Sequence, residues 1–102
     1  MYKINELSDS KYDGTIFECM FFIGWFDRYP CERLVDTPLF FEDENARKSF
    51  VDKIMKRGSY HGESPKKGQW LGVRFGEYPV EGGHINWDLG IRRSSHVLCE
   101  GV

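Results

Sequence analysis

Apolar residues run almost unbroken from Ile16 to Phe26, where nine of eleven are apolar and five are aromatic. The run is too short for a membrane helix, which needs about 20 apolar residues. Its aromatic side chains suit a pleated sheet. Apolar residues on both faces predict a central strand covered on both sides. Asp13-Gly14 turns the chain into it, and Gly24 is a candidate bulge near its end. Asp27-Arg28-Tyr29-Pro30 is expected to close it, because Pro30 lacks an N–H and biases Tyr29 away from helix. Residues 31–41 read as a second strand, in which Pro38 marks an edge or a bulge. The two strands together predict a hairpin.

From Glu42 to Arg57 the pattern changes to a helix. Ala46, Phe50 and Ile54 recur every fourth residue beside Val51 and Met55, giving one apolar stripe. Acidic residues 42–44 and basic residues 53, 56 and 57 match the helix dipole at its two ends. Asp43–Arg47, Glu44–Lys48 and Asp52–Lys56 are i,i+4 pairs on this helix. Gly58 fits a left-handed cap. Before the central strand, Tyr2-Lys3-Ile4 reads as a short strand followed by loop. After the helix, residues 58–68 lack periodicity and read as a long loop.

Two alternating stretches follow. Over 69–75, Leu71, Val73 and Phe75 share a face. Over 84–92, Ile85, Trp87, Leu89 and Ile91 share one face, with His84, Asn86, Asp88, Gly90 and Arg92 on the other. A period of two predicts antiparallel strands with one buried and one wet face. Tyr78-Pro79 and Gly82-Gly83 are expected to turn the chain between them, and residues 96–100 to form a last short strand. The fold class is therefore α+β. About four or five antiparallel strands form a sheet, with the 42–57 helix packed on one face.

A chain of 102 residues is expected to form one domain, 1–102. Its net charge of −2 excludes a generally basic nucleic-acid binder. The charge is uneven: residues 1–52 hold six Lys/Arg against eleven Asp/Glu, and residues 53–102 hold eight against five. Either the halves attract each other within the fold, or an acidic surface faces a basic partner. Three cysteines without a C-x-x-C pair argue against a disulfide framework or a cysteine-rich zinc site. With no apolar leader after Met1, a reducing, cytoplasmic setting and no membrane partner are expected.

No P-loop or dinucleotide fingerprint is present. For an enzyme, the candidates are His84, Asp88, Arg74 and Arg92, able to supply proton transfer and oxyanion stabilisation. An ordinary solvated sheet face accounts for the same residues. Lys53, Lys56, Arg57, Lys66 and Lys67, with Tyr60 and His61 interleaved, could bind phosphates and stack bases. A dipole-matched helix end beside a polar loop accounts for them as well. The three histidines lack metal-ligand spacing, so no metal or cofactor is expected. Glu18 stands out inside the apolar run, since a lone buried carboxylate is costly. It must face a less buried side or pair with an Arg.

Size and composition favour a small non-enzymatic inhibitor that blocks a protein partner. Toxin-neutralising immunity proteins and phage inhibitors of host defence share this general character. Asp27, Tyr29, Glu32, Asp36 and Asn86 are the expected partner contacts, with a basic site on the partner. A small hydrolase or nuclease built on the 84–92 face is the first alternative. A nucleic-acid module built on residues 53–67 is the second.

Overall fold

The computed structural model describes residues 1–28 and 31–102. It is α+β, with one six-stranded antiparallel sheet and two helices. Strand β1 (Gly14–Trp25) lies between β2 (Glu32–Phe41) and β3 (Gln69–Glu81). Pairing of β1 with β3 runs without a break from Gly14↔Val80 to Trp25↔Gln69. The short strands β4 (His84–Ile85), β5 (Ile91–Arg92) and β6 (His96–Glu100) share the far side of β3. The expected closure at Tyr29-Pro30 lies outside the described residues.

The apolar run is buried from Ile16 to Gly24 apart from half-buried Phe17 and Met20, and it reaches the surface at Phe26. Cys19, Phe21 and Ile23 point toward helix α2 (Glu44–Arg57), with Val51, Ile54, Leu71 and Val73 in the same core. Ile16 points the other way, into a second core with Leu7, Phe40, Tyr78 and Val80. Pro38 sits on an edge strand and in a bulge at once. Cys19 pairs with Leu39 but Phe21 pairs with Val35, which leaves Asp36, Thr37 and Pro38 opposite Met20 alone.

Three expectations are corrected. The N-terminal segment makes one bridge, Tyr2 to Phe40, and then a helix α1 (Ile4–Ser10) that buries Leu7. Ile4 and Leu7 carry helical spacing, but two apolar residues across two turns are a weak signal. Next, β3 runs to Glu81 rather than stopping at Phe75. Pro79 is tolerated because N and O of one strand residue face the same side. The Pro79 carbonyl accepts from Asn86 N, so the missing N–H falls on the broken β4 edge and not on the β1 ladder.

Finally, residues 84–92 are not one strand. Between β4 and β5 the chain makes a 3₁₀ turn over Trp87–Leu89. Trp87 packs edge-on against Tyr78, 4.8 Å between ring centres. Gly90 lies so close to that tyrosine that an added Cβ would sit 1.8 Å from its ring. This packing rotates the chain and leaves Trp87, Leu89 and Ile91 exposed rather than buried on one face.

Helix α2 is capped by Asp43, which accepts from Ala46 N, and ends on left-handed Gly58. Its buried face is rotated from the expected stripe: Ala46 and Met55 are exposed, while Arg47 is 7% exposed. The Arg47 guanidinium lies 4.6 Å from the Phe75 ring centre and 5.4 Å from that of Phe17. It donates to the carbonyls of Glu18 and Gly76, both at 3.2 Å, and stands 3.5 Å from Glu77 Oε2. Glu77 also meets Arg93 at 2.8 Å. Among the described residues none of the three expected i,i+4 pairs forms: Arg47 is directed into the sheet, and Lys48 meets Asp52 instead.

A hydrogen bond from a charged group contributes about 1.5–3 kcal/mol, and a desolvated cation over an aromatic ring about 2. Arg47→Ala should therefore lower unfolding free energy by about 2–4 kcal/mol in urea titrations. Met55→Gln should change it by less than about 0.5 kcal/mol. The reverse order would show that Met55, not Arg47, anchors the helix.

Candidate functional site

The sheet face away from α2 is covered only at one end. There, α1 and the 3₁₀ turn seal Ile16, Phe40, Tyr78 and Val80. Toward the other end, register aligns Leu34, Phe22, Gly72 and Val97 in one row across four strands. Leu34 is 40% and Val97 53% exposed. The Trp70 indole lies flat beside this row, over Gly24 and Gly72; a Cβ on either would come within 2.5 Å of it. Those glycines make a shallow bed that any larger residue would fill.

Arg74 crosses the face. Its guanidinium sits 4.5 Å above the Phe22 ring, Nη2 donates to Glu32 at 3.0 Å, and Nε donates to Ser95 at 3.2 Å. The rim carries exposed Asp27 and Phe26 after β1, and Glu100 opposite Trp70.

Midway along the same face lies a polar cluster. Glu18, Gly76 and Arg92 are aligned across β1, β3 and β5. Gly76 leaves a gap, and the Tyr78 hydroxyl leans into it. That hydroxyl donates to Glu18 Oε1 at 3.3 Å and accepts from Arg92 Nε at 3.0 Å. Glu18 is only 5% exposed. Burial pushes its carboxyl above the usual range, while the Tyr78 hydrogen bond and Arg92 pull the other way. The anomaly in the apolar run is thus a buried carboxyl, reached by an arginine through a tyrosine.

Comparison with protein-family models, curated proteins and solved structures finds no match for this chain.

The enzyme candidates fall into two groups. His84 and Asp88 line a wide groove of about 900 Å³ with Asn86, Glu81 and Asp13. Arg74 and Arg92 instead border a separate cavity of about 300 Å³ beside Glu18 and Tyr78. The geometry brings the two arginines together with a carboxyl, but a different one from that expected. Among the described residues no group of three His, Cys, Asp or Glu is placed to hold a metal. Cys19 is fully buried and its thiol is pushed up to about 12 by burial, so it behaves as a small apolar residue.

The basic cluster also divides. Lys53 and Arg57 line a groove with Lys3, Asp36 and His61, whereas Lys67 bridges to Gly101 at the C-terminal end of the sheet. Tyr60 is not a free stacking surface: its ring lies against Phe21, 4.4 Å between centres. His61 approaches Asp36 at 2.9 Å, and both hold left-handed backbone conformations, φ 51° and 61°. Of the expected partner contacts, Asp27 is exposed and Asn86 lines the wide groove. Glu32 and Asp36 are engaged by Arg74 and His61. Tyr29 lies outside the described residues.

Glu18 and Tyr78 carry the new geometry. Glu18 is visible in the sequence as a carboxylate among apolar residues. Tyr78 is hidden by the Tyr-Pro pair, which reads as a turn.

A carboxyl with a raised pKa holds its proton to higher pH in the folded chain than in the unfolded one. Stability from this group therefore falls as pH rises from the ordinary carboxyl range through the folded value. Glu18→Gln cannot ionise. It should be more stable than the parent at neutral pH, with the difference shrinking as pH falls into the carboxyl range. Melting curves across pH test this; a difference independent of pH would contradict it.

Proposed function

We propose that this chain is a non-enzymatic binding protein that blocks a protein partner through the open end of the sheet face. The observation that carries the reading is the row Leu34–Phe22–Gly72–Val97, exposed at Leu34 and Val97, with Trp70 and Arg74 of the same sheet laid over its buried centre. Trp, Phe and Arg around a flat apolar centre have the composition of interface hot spots. Gly24 and Gly72 support the reading further, since they let the Trp70 indole lie flat on the sheet and present its face. Asp27 and Glu100 give the rim an acidic character, so the matching surface is apolar at its centre and basic at its edge. Three cysteines outside any disulfide suit a reducing, cytoplasmic setting. Among the described residues no helix is long and apolar enough to cross a membrane.

A photocrosslinking residue at position 97 should trap a discrete protein in the native host, and one at position 46, on the exposed side of α2, should not. With that partner purified, Leu34→Asp and Val97→Asp should each weaken binding by about 30-fold or more, the scale of a 2 kcal/mol hot spot. Ile91 is exposed opposite Glu77, on the α2 side of the sheet. Ile91→Asp should leave affinity within about threefold. Equal losses for all three, or equal crosslinking at 46 and 97, would contradict the assignment.

A further inference from the structure

The cavity beside Glu18 has features that a docking face does not require. Its polar side is Glu18, Arg74, Tyr78 and Arg92; Met20 and Trp87 supply apolar wall. At about 300 Å³ it lies at the small end of ligand pockets. Arg92 engages Tyr78 through Nε, which leaves its two terminal nitrogens for another acceptor. Arg74 uses Nε and Nη2 on Ser95 and Glu32, which leaves Nη1.

Charge decides the class of ligand. Titratable and charged groups facing Glu18 come from two elements: Tyr78 and Arg74 on β3, and Arg92 on β5. Glu32 of β2 already balances Arg74 at 3.0 Å. With Glu18 ionised, the remaining Arg92 charge is balanced too. With Glu18 protonated, one positive charge is left over, and the carboxyl becomes a donor beside it. A singly charged anion then restores balance, whereas a dianion over-compensates. Guanidinium groups present parallel N–H donors that match a carboxylate.

We propose that this cavity binds a small monocarboxylate with an apolar body. The carboxylate takes hydrogen bonds from Arg92, Arg74 and the protonated Glu18, and the body lies against Trp87 and Met20. At a pH where Glu18 is ionised in the free chain, which is where the proton count is taken, binding takes up one proton, which Glu18 holds. The site shares Arg74 with the proposed docking face, but it needs no partner and is tested on the isolated protein.

Benzoate is the probe, titrated into the full chain and followed by calorimetry and by NMR shifts of the Trp87 indole. Saturable binding at millimolar benzoate is expected, with inorganic phosphate at least about tenfold weaker. Affinity should fall as pH rises above the ordinary carboxyl range, since benzoate stays ionised there while Glu18, its pKa raised by burial, loses its proton. Glu18→Gln should bind with little pH dependence. Arg92 is exposed, so Arg92→Met should fold, and it should weaken benzoate at least about tenfold. Absence of saturable binding would overturn the proposal. So would phosphate binding as tightly as benzoate, or Arg92→Met binding like the parent. Should Glu18→Gln fail to fold, the proton count decides: calorimetry in two buffers of different ionisation enthalpy must show uptake in the parent chain, and no uptake overturns the proposal.

Discussion

The twelve-residue ladder between β1 and β3 is the constraint on which the other elements depend. A strand with apolar side chains on both faces cannot remain at a surface, so it must be paired on both edges and covered on both sides. β2 and β3 satisfy the edges. Helix α2 covers one face with Val51 and Ile54, and α1 with the 3₁₀ turn covers part of the other. The fold has too few elements to cover the whole second face. At the end left without a covering element, Trp70 and Arg74 lie over the sheet and Leu34 and Val97 meet solvent, and that shortfall defines the proposed docking surface.

One rung of the ladder joins the two sides. At Glu18↔Gly76, Arg47 reaches up from α2 and donates to both carbonyls. From the opposite face, the Glu18 side chain and Tyr78 occupy the space above Gly76. A buried arginine and a buried carboxyl are therefore held one backbone thickness apart. Each is compensated on its own side, Arg47 by Glu77 and the two carbonyls, Glu18 by Tyr78 with Arg92 behind it. Any side chain at Gly76 would displace the Tyr78 hydroxyl and separate Glu18 from its partner. Packing and the candidate ligand site thus share this rung.

Much of the framework was legible in the sequence, because it rests on strong periodic signals. The central strand, the helix with its Gly58 cap and the hairpin partner with its Pro38 bulge followed from apolar spacing and backbone chemistry. The misses occurred where tertiary contacts outweighed pattern. Arg47 looked like a surface ion-pair residue, yet two phenylalanine rings and two carbonyls draw it inside. The alternation of residues 84–92 imitated a strand, yet Trp87 packing on Tyr78 bends it into a turn. Tyr78-Pro79 imitated a turn, yet the missing N–H faces an edge that does not need it. Glu18 was visible as an exception, but its partners lie 60 and 74 positions away along the chain, beyond any local pattern.

The central claim is that the β1–β3 ladder is the last part of the structure to open. Native-state hydrogen exchange tests it most directly. Amides of Glu18, Met20 and Phe22 on β1 and of Gly72, Arg74 and Gly76 on β3, which face each other across the ladder, should exchange only through global unfolding, with protection equal to the free energy from urea titration. Amides of β5 and β6, on short edge pairings, should exchange through smaller openings. If the centre of β1 exchanged as readily as β6, the two-faced strand would not be the element on which the fold depends, and the account would fail.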